Sequence, residues 1–320
     1  MTDIAIVGFA HAPHVTEADA TTNGIEMLAP CLRELYAELG ITKSDIGFWC
    51  SGSSDYLAGR AFSFISAIDA IGAVPPVNES HVEMDAAWAL YEAWIKLLTG
   101  EVDTALVYGF GKSSAGDLRK VLALQLDPYT VAPLWPDAYA IAGLQARAGI
   151  DAGNWTEADM AAVAGGSLDA PYVANPLRAH DIAPYTDGAA AVVLAVGDRA
   201  RELCARPAWI AGIEHRIESP HFGLRDLTRS ESTAAAARAV GVHDIDHAEF
   251  HAPFTHQHLM VAAATGTTAP FRPNPMFAAG LERIGFAARQ IFTGSAGRVL
   301  AHATSGPALQ QNLVMTMEAR

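Results

Sequence analysis

Hydrophobic and polar positions along this chain alternate between strand-like and helix-like blocks. A short apolar run over residues 4–7 reads as a strand, an amphipathic stretch over 24–39 as a helix, and an apolar run over 46–49 as a second strand. Residues 71–77 carry two prolines and read as a strand or loop. Over 82–98, apolar positions recur three and four apart at Met84, Ala87, Trp88, Tyr91, Trp94, Ile95 and Leu98, which predicts a helix with one broad buried face. Strands follow at 105–108 and at 189–195, where the unbroken apolar run predicts burial on both faces. Between them, 111–183 is irregular and proline-rich, with helical stretches at 139–148 and 156–165, and reads as an inserted lid or dimer-contact segment. Further on, strands are expected at 209–213, 248–251 and 298–301, and helices at 233–240 and 277–292.

This plan is written twice. A helix ending in Gly40, then Asp45 and an apolar run, is repeated as a helix ending in Gly241, then Asp246 and 247–251, with one offset for both pairs. A helix ending at Gly100 before the strand from Thr104 is repeated as one ending at Gly294 before the strand from Arg298. Alternating strands and helices predict an α/β fold. Duplication makes it two similar halves, residues 1–200 (including the insert at about 111–183) and 201–320, stacked as a five-layered α/β/α/β/α sandwich with a site between them.

Composition narrows the function. The chain has 320 residues, 51% hydrophobic and 18% charged, enough for a large core. A net charge of −14 argues against general nucleic-acid binding, which needs basic surface. Three cysteines, Cys31, Cys50 and Cys204, match neither a disulfide framework nor a zinc knuckle, so a reducing compartment is expected. No apolar run approaches about 20 residues and no signal-like N-terminus is seen, so the expectation is a soluble, cytoplasmic protein without a membrane span.

Local motifs divide into weak and stronger signals. Gly111-Lys112-Ser113 resembles the end of a phosphate loop, but the glycine needed five residues earlier is Leu106. Gly8 lacks the companions of a dinucleotide fingerprint. His243, His247, His251, His256 and His258 cluster in sequence, yet they flank a strand on both sides and read as hydrogen-bonded histidines rather than metal ligands, and no metal is expected. Cys50 ends a strand and reads as a small buried thiol, with a nucleophile as the alternative. Glu83 and Asp85 fall in the first turn of the predicted 82–98 helix, where a carboxylate is held charged and makes a good helix start but a poor proton donor. His251, Asn274 and His302 stand at the ends of second-half elements, where polar residues of α/β folds carry function; Asn274 also reads as a possible N-cap.

In order and spacing, these segments resemble the thiolase superfamily, in particular the thiolase-like sterol-carrier and lipid-transfer branch of actinobacterial steroid degradation. The landmarks are Thr99-Gly100-Glu101-Val102-Asp103 with Gly109-Phe110-Gly111, Thr186-Asp187-Gly188-Ala189-Ala190-Ala191, Glu249-Phe250-His251-Ala252-Pro253-Phe254, Asn274-Pro275-Met276-Phe277-Ala278-Ala279-Gly280, and the loop from His302 to Pro307. The resemblance covers nearly the whole chain. It implies a nucleophilic cysteine at the start of the 82–98 helix, where this chain has His81-Val82-Glu83-Met84-Asp85, and a histidine where it has Asn274. Only His251 keeps a family role.

Thiolysis requires an acyl-enzyme and hence a nucleophile. Retro-aldol cleavage of a β-hydroxyacyl-CoA requires only a base, an acid and donors for the enolate oxygen. The resemblance therefore implies an aldolase acting on a coenzyme A thioester, such as a sterol or lipid side chain, with no covalently bound cofactor. It would be a homodimer, or a heteromer with a DUF35-type (OB-fold and zinc-ribbon) protein or a thiolase-like paralogue. His251 is expected as base or oxyanion donor, Asn274 as amide donor to the thioester oxygen, and His302 as acid. The alternative is a non-catalytic thiolase-fold subunit that binds acyl-CoA or lipid, or scaffolds a complex.

Overall fold

The computed structural model describes residues 3–19, 23–72 and 78–320. The strand or loop expected at 71–77 therefore lies, past Gly72, outside the described residues. The first half runs β1 (Ile4–His11), α1 (Gly24–Leu39), β2 (Phe48–Gly52), β3 (Glu79–Val82), α2 (Ala86–Leu98), β4 (Thr104–Gly111) and β5 (Gly188–Val196), with α3 (Ala138–Asp151) and α4 (Glu157–Ala164) in the insert between the last two strands. The second half runs β6 (Ala208–Ile217), α5 (Glu231–Val240), β7 (His247–Phe250), α6 (Thr255–Thr265), α7 (Ala279–Phe292), β8 (Arg298–Ser305) and β9 (Gln311–Glu318).

Both halves order their strands alike: β1-β5-β4-β2 in the first, with β3 added at its edge, and β6-β9-β8-β7 in the second. The pairings agree as well. β2–β4 and β7–β8 are parallel, whereas β4–β5, β5–β1, β8–β9 and β9–β6 are antiparallel. The duplicated glycines cap equivalent helices, Gly40 at φ 63° and Gly241 at φ 68°, a backbone state costly for any residue with a Cβ. The two half-sheets are not separate. β1 and β6 pair over Ala5↔Trp209 and Ile6↔Ala208, which joins all nine strands edge to edge.

Strand alternation builds the layers. Along β1, Ile4, Ile6 and Phe9 join the central core while Ala5, Val7 and Ala10 face α1; β5 divides its residues the same way. The central core holds α2 and α7 between the two half-sheets, and α5 and α6 cover the outer face of the second. These are the five layers.

Two expectations change. Helix α2 begins at Ala86, not at 82, because Val82 ends the edge strand β3 and Asp85 is the N-cap. Its most buried positions are Ala86, Ala87, Ala89, Leu90, Ala93 and Leu97, whereas Ile95 is exposed. A helix sandwiched between two sheets is enclosed nearly all round, so periodicity misplaced its deepest side. Helix α6 was missed. His256, Gln257 and His258 in its first turn are buried, so it has no polar stripe to reveal it.

Candidate active site

A cavity of about 600 Å³ opens between the two halves. The first half contributes Glu83, Met84 and Asp85, from the turn joining β3 to α2. The insert contributes Leu122, Leu126 and Ile141, so that segment forms a wall. The second half contributes His251 past β7, Phe254, Asn274, Phe277, and residues 304–311 of the β8–β9 hairpin.

His251 and Asn274 meet in this cavity. His251 Nε2 lies 3.1 Å from Asn274 Oδ1, and the backbone N–H of Thr304 approaches His251 Nδ1 at 3.5 Å. That amide makes Nδ1 the acceptor, so Nε2 carries the proton and donates to Asn274. Burial pushes the His251 imidazolium down to about 3, and the Arg283 guanidinium and His302 add to the effect. The ring is therefore a neutral donor and a weak base. With its Oδ1 engaged, Asn274 offers the cavity its amide N–H groups. Asn274-Pro275 is not a helix start: it pairs with Tyr185-Thr186, and α7 begins at Ala279.

His302 is not brought to the cavity. It lies fully buried within β8, with Nε2 2.9 Å from Asn312 Oδ1, and Asn312 in turn donates to Ser232 Oγ and the Leu309 carbonyl. Burial pushes its imidazolium down to about 4. Only its carbonyl serves the site, accepting from the His251 N–H at 3.0 Å. The structure thus joins two of the three expected residues and sets the third behind them.

Asp85 is more central than its sequence context suggests. Its carboxylate accepts from the Ala87 N–H at 2.9 Å, capping α2, and from the Gly280 and Leu281 N–H groups at 2.9 and 3.2 Å, capping α7. The Ala86 N–H donates to the Phe277 carbonyl at 3.0 Å, aimed by a left-handed φ of 61° at Phe277. The positive ends of both central helices thus converge on one buried carboxylate. Burial still pushes Asp85 up to about 6, against those amides and Arg283. The signal available in sequence was an Asp directly before one helix and a Gly in the first turn of the other.

The remaining candidates stand apart. Cys50 is buried in the central core, and burial pushes its thiol up, so it is inert packing. The histidines near β7 do not converge: His247 pairs with Glu249, His256 with Gln145, and His243 with the Gly241 carbonyl. Among the described residues, one group has donor atoms within 4.8 Å of one another, namely His11, His14 and Glu282, and it lies outside the cavity lining. Arg283 Nη1 already sits 3.0 Å from the Glu282 carboxylate, and its positive charge opposes a cation there.

No protein-family model matches the chain. A stretch of 124 residues, 37% of this chain, is 32% identical to an acetyl-CoA acetyltransferase of Methanothermobacter thermautotrophicus, and the match spans 32% of that curated relative's length. Similar solved structures cover both partners almost completely. One described as an Ltp2-ChsH2(DUF35) aldolase has a TM-score of 0.77 at 16% identity, over 99% of this chain and 98% of that one. The chain has the thiolase fold. The acetyl-CoA acetyltransferase of Bacillus anthracis agrees, with a TM-score of 0.76 at 14% identity over 100% and 99% of the two chains. Within the thiolase fold of this chain, no described cysteine lines the cavity, and the α2 N-terminus holds Asp85. No helix among the described residues is long and apolar enough to cross a membrane.

Proposed function

We propose that this chain cleaves a carbon–carbon bond of a β-hydroxyacyl-CoA by a cysteine-independent retro-aldol reaction. The observation that carries this reading is the Asn274 amide, oriented by His251, in a cavity lined by no described cysteine. An acyl-enzyme has no described cysteine to form on, whereas an enolate oxygen would find the amide N–H groups of Asn274, held in place by the His251 Nε2–H. Each donor aimed at developing charge contributes about 3 kcal/mol to lowering a barrier. The likeness of the fold to a structure described as an aldolase supports the same reading, and so does the DUF35 component in that structure's name, which favours a heteromer with such a partner. A CoA thioester of sterol or lipid side-chain type is the proposed substrate, and the cytoplasm the proposed site of action.

The test is co-purification of the chain with its partner, followed by assay of 3-hydroxyacyl-CoA thioesters for release of a carbonyl compound and a shorter acyl-CoA. Asn274→Ala should lower kcat by about 100-fold or more, the usual loss for one oxyanion donor, and His251→Ala, which leaves the Asn274 amide unoriented, should lower it by a smaller factor. No cleavage in the presence of the partner, with assembly unchanged in His251→Ala, would leave a scaffold or binding subunit instead.

A further inference from the structure

Retro-aldol cleavage needs a group that takes a proton from the β-hydroxyl, and the His251–Asn274 pair does not supply it. The titratable residues lining the cavity are Tyr56, Glu83, Asp85, Tyr185 and His251. His251 is a weak base, as shown above. Asp85 has its oxygens taken by three backbone N–H groups. Tyr185 is half-buried, and burial pushes its hydroxyl up. Tyr56 stands exposed at the cavity. Glu83 is left, and its surroundings are built.

The build follows from sheet register. Ser51 of β2 pairs directly with His81 of β3 on one side and with Tyr108 of β4 on the other, so the three side chains form a row on one face. Ser51 Oγ lies 2.9 Å from His81 Nδ1. Two residues on, Glu83 returns to the same side, and its Oε2 lies 3.4 Å from His81 Nε2. Phe64 stacks on the His81 ring at 4.4 Å and fixes its plane. The other Glu83 oxygen accepts the Asp55 N–H at 2.6 Å. The carboxylate is thus held by two partners while its side chain stays 42% exposed at the cavity. Because α2 starts at Ala86, Glu83 lies outside that helix, two residues before its Asp85 N-cap.

We propose that Glu83 is the acid–base residue of this cavity and that His81, backed by Ser51, positions it. The assignment rests on the retro-aldol reading. In the forward step the Glu83 carboxylate takes the β-hydroxyl proton. The O–H electron pair becomes the carbonyl π bond, the Cα–Cβ bond breaks, and its pair enters the thioester enolate, held at the Asn274 amide that His251 positions. The proton on Glu83 then returns to Cα, releasing a shorter acyl-CoA and a ketone or aldehyde. Nothing is oxidised or reduced.

The experiment compares wild type, Glu83→Gln, Glu83→Asp and His81→Gln, each with the co-purified partner, on a 3-hydroxyacyl-CoA in deuterated water. The amide of Glu83→Gln keeps an acceptor for the Asp55 N–H, so the fold should persist, and thermal melting checks it. Wild type should incorporate one deuterium at Cα of the product. Glu83→Gln should lose about 100-fold or more in kcat with KM changed less than about threefold, since general acid–base catalysis contributes about 100- to 10,000-fold. His81→Gln should lose a smaller factor, again in kcat, and Glu83→Asp should recover part of the Glu83→Gln loss. Undiminished cleavage by a folded Glu83→Gln overturns the assignment alone. No cleavage by wild type overturns the retro-aldol reading, and the assignment with it.

Discussion

At the residue scale, the buried carboxylate of Asp85 decides more than any other side chain near the cavity. Three backbone N–H groups from two helices end on it. Asp85→Ala would leave the Ala87, Gly280 and Leu281 amides buried without partners, and should cost about 2–4 kcal/mol of stability by urea unfolding. Asp85→Asn keeps an acceptor and should cost less. A loss within about 0.5 kcal/mol for the alanine variant would show that the shared cap is not needed. The sequence pointed to His251 and Asn274 because strand and helix ends in α/β folds carry polar groups. It ranked His302 with them by the same rule, but β8 runs on past His302 to Ser305, which places the ring inside the sheet rather than at its end.

At the element scale, the close approach of α2, α7 and β8 depends on small residues. A Cβ added at Gly280 would lie 2.4 Å from Asp85 Oδ1 and 2.7 Å from the Ala303 Cβ. Gly280→Ala should therefore destabilise by about 1–3 kcal/mol through overpacking and displace the shared cap. Gly116→Ala is the control. Its φ is −156° and nothing lies within 4 Å of the added carbon, so a change within about 0.5 kcal/mol is expected in the same unfolding experiment. Equal losses at the two positions would contradict this packing account. Helix α1 was legible to the residue, because Asn23 builds a capping box with Glu26 and Gly40 closes the other end. Helix α2 was legible in existence but not in its start, because the turn before it belongs to a strand whose partner, β2, lies far away in sequence.

At the scale of the whole molecule, several buried histidines make the fold sensitive to acid. Burial holds His251 and His256 down to about 3 and His258 and His302 down to about 4. Each would take up a proton near pH 6.5 when unfolded but not when folded, so each withdraws stability as the pH falls from about 6.5 toward 4. Asp85, pushed up to about 6, binds its proton more readily in the folded state and opposes them between about pH 6 and 4. The net is about three protons taken up on unfolding near pH 5, or about 4 kcal/mol per pH unit. Urea unfolding between pH 7 and 5 should show a steep loss, and His256→Gln should reduce the slope by about one proton. A flat profile would mean these rings are protonated in the fold.

The sequence by itself determined the duplication, the α/β class, and which residues stand at element ends, because periodicity, glycine caps and repeated spacing are local properties written in consecutive residues. It also shows Asp85, and no cysteine, at the start of α2. What only the tertiary structure decided is which of those ends meet. Sheet register set Ser51 beside His81, and helix packing brought Asp85 of one half to the amides of Gly280 and Leu281 in the other. The continuation of β8 buried His302. These are contacts between residues distant in the chain, and pairing and packing, not local pattern, select them.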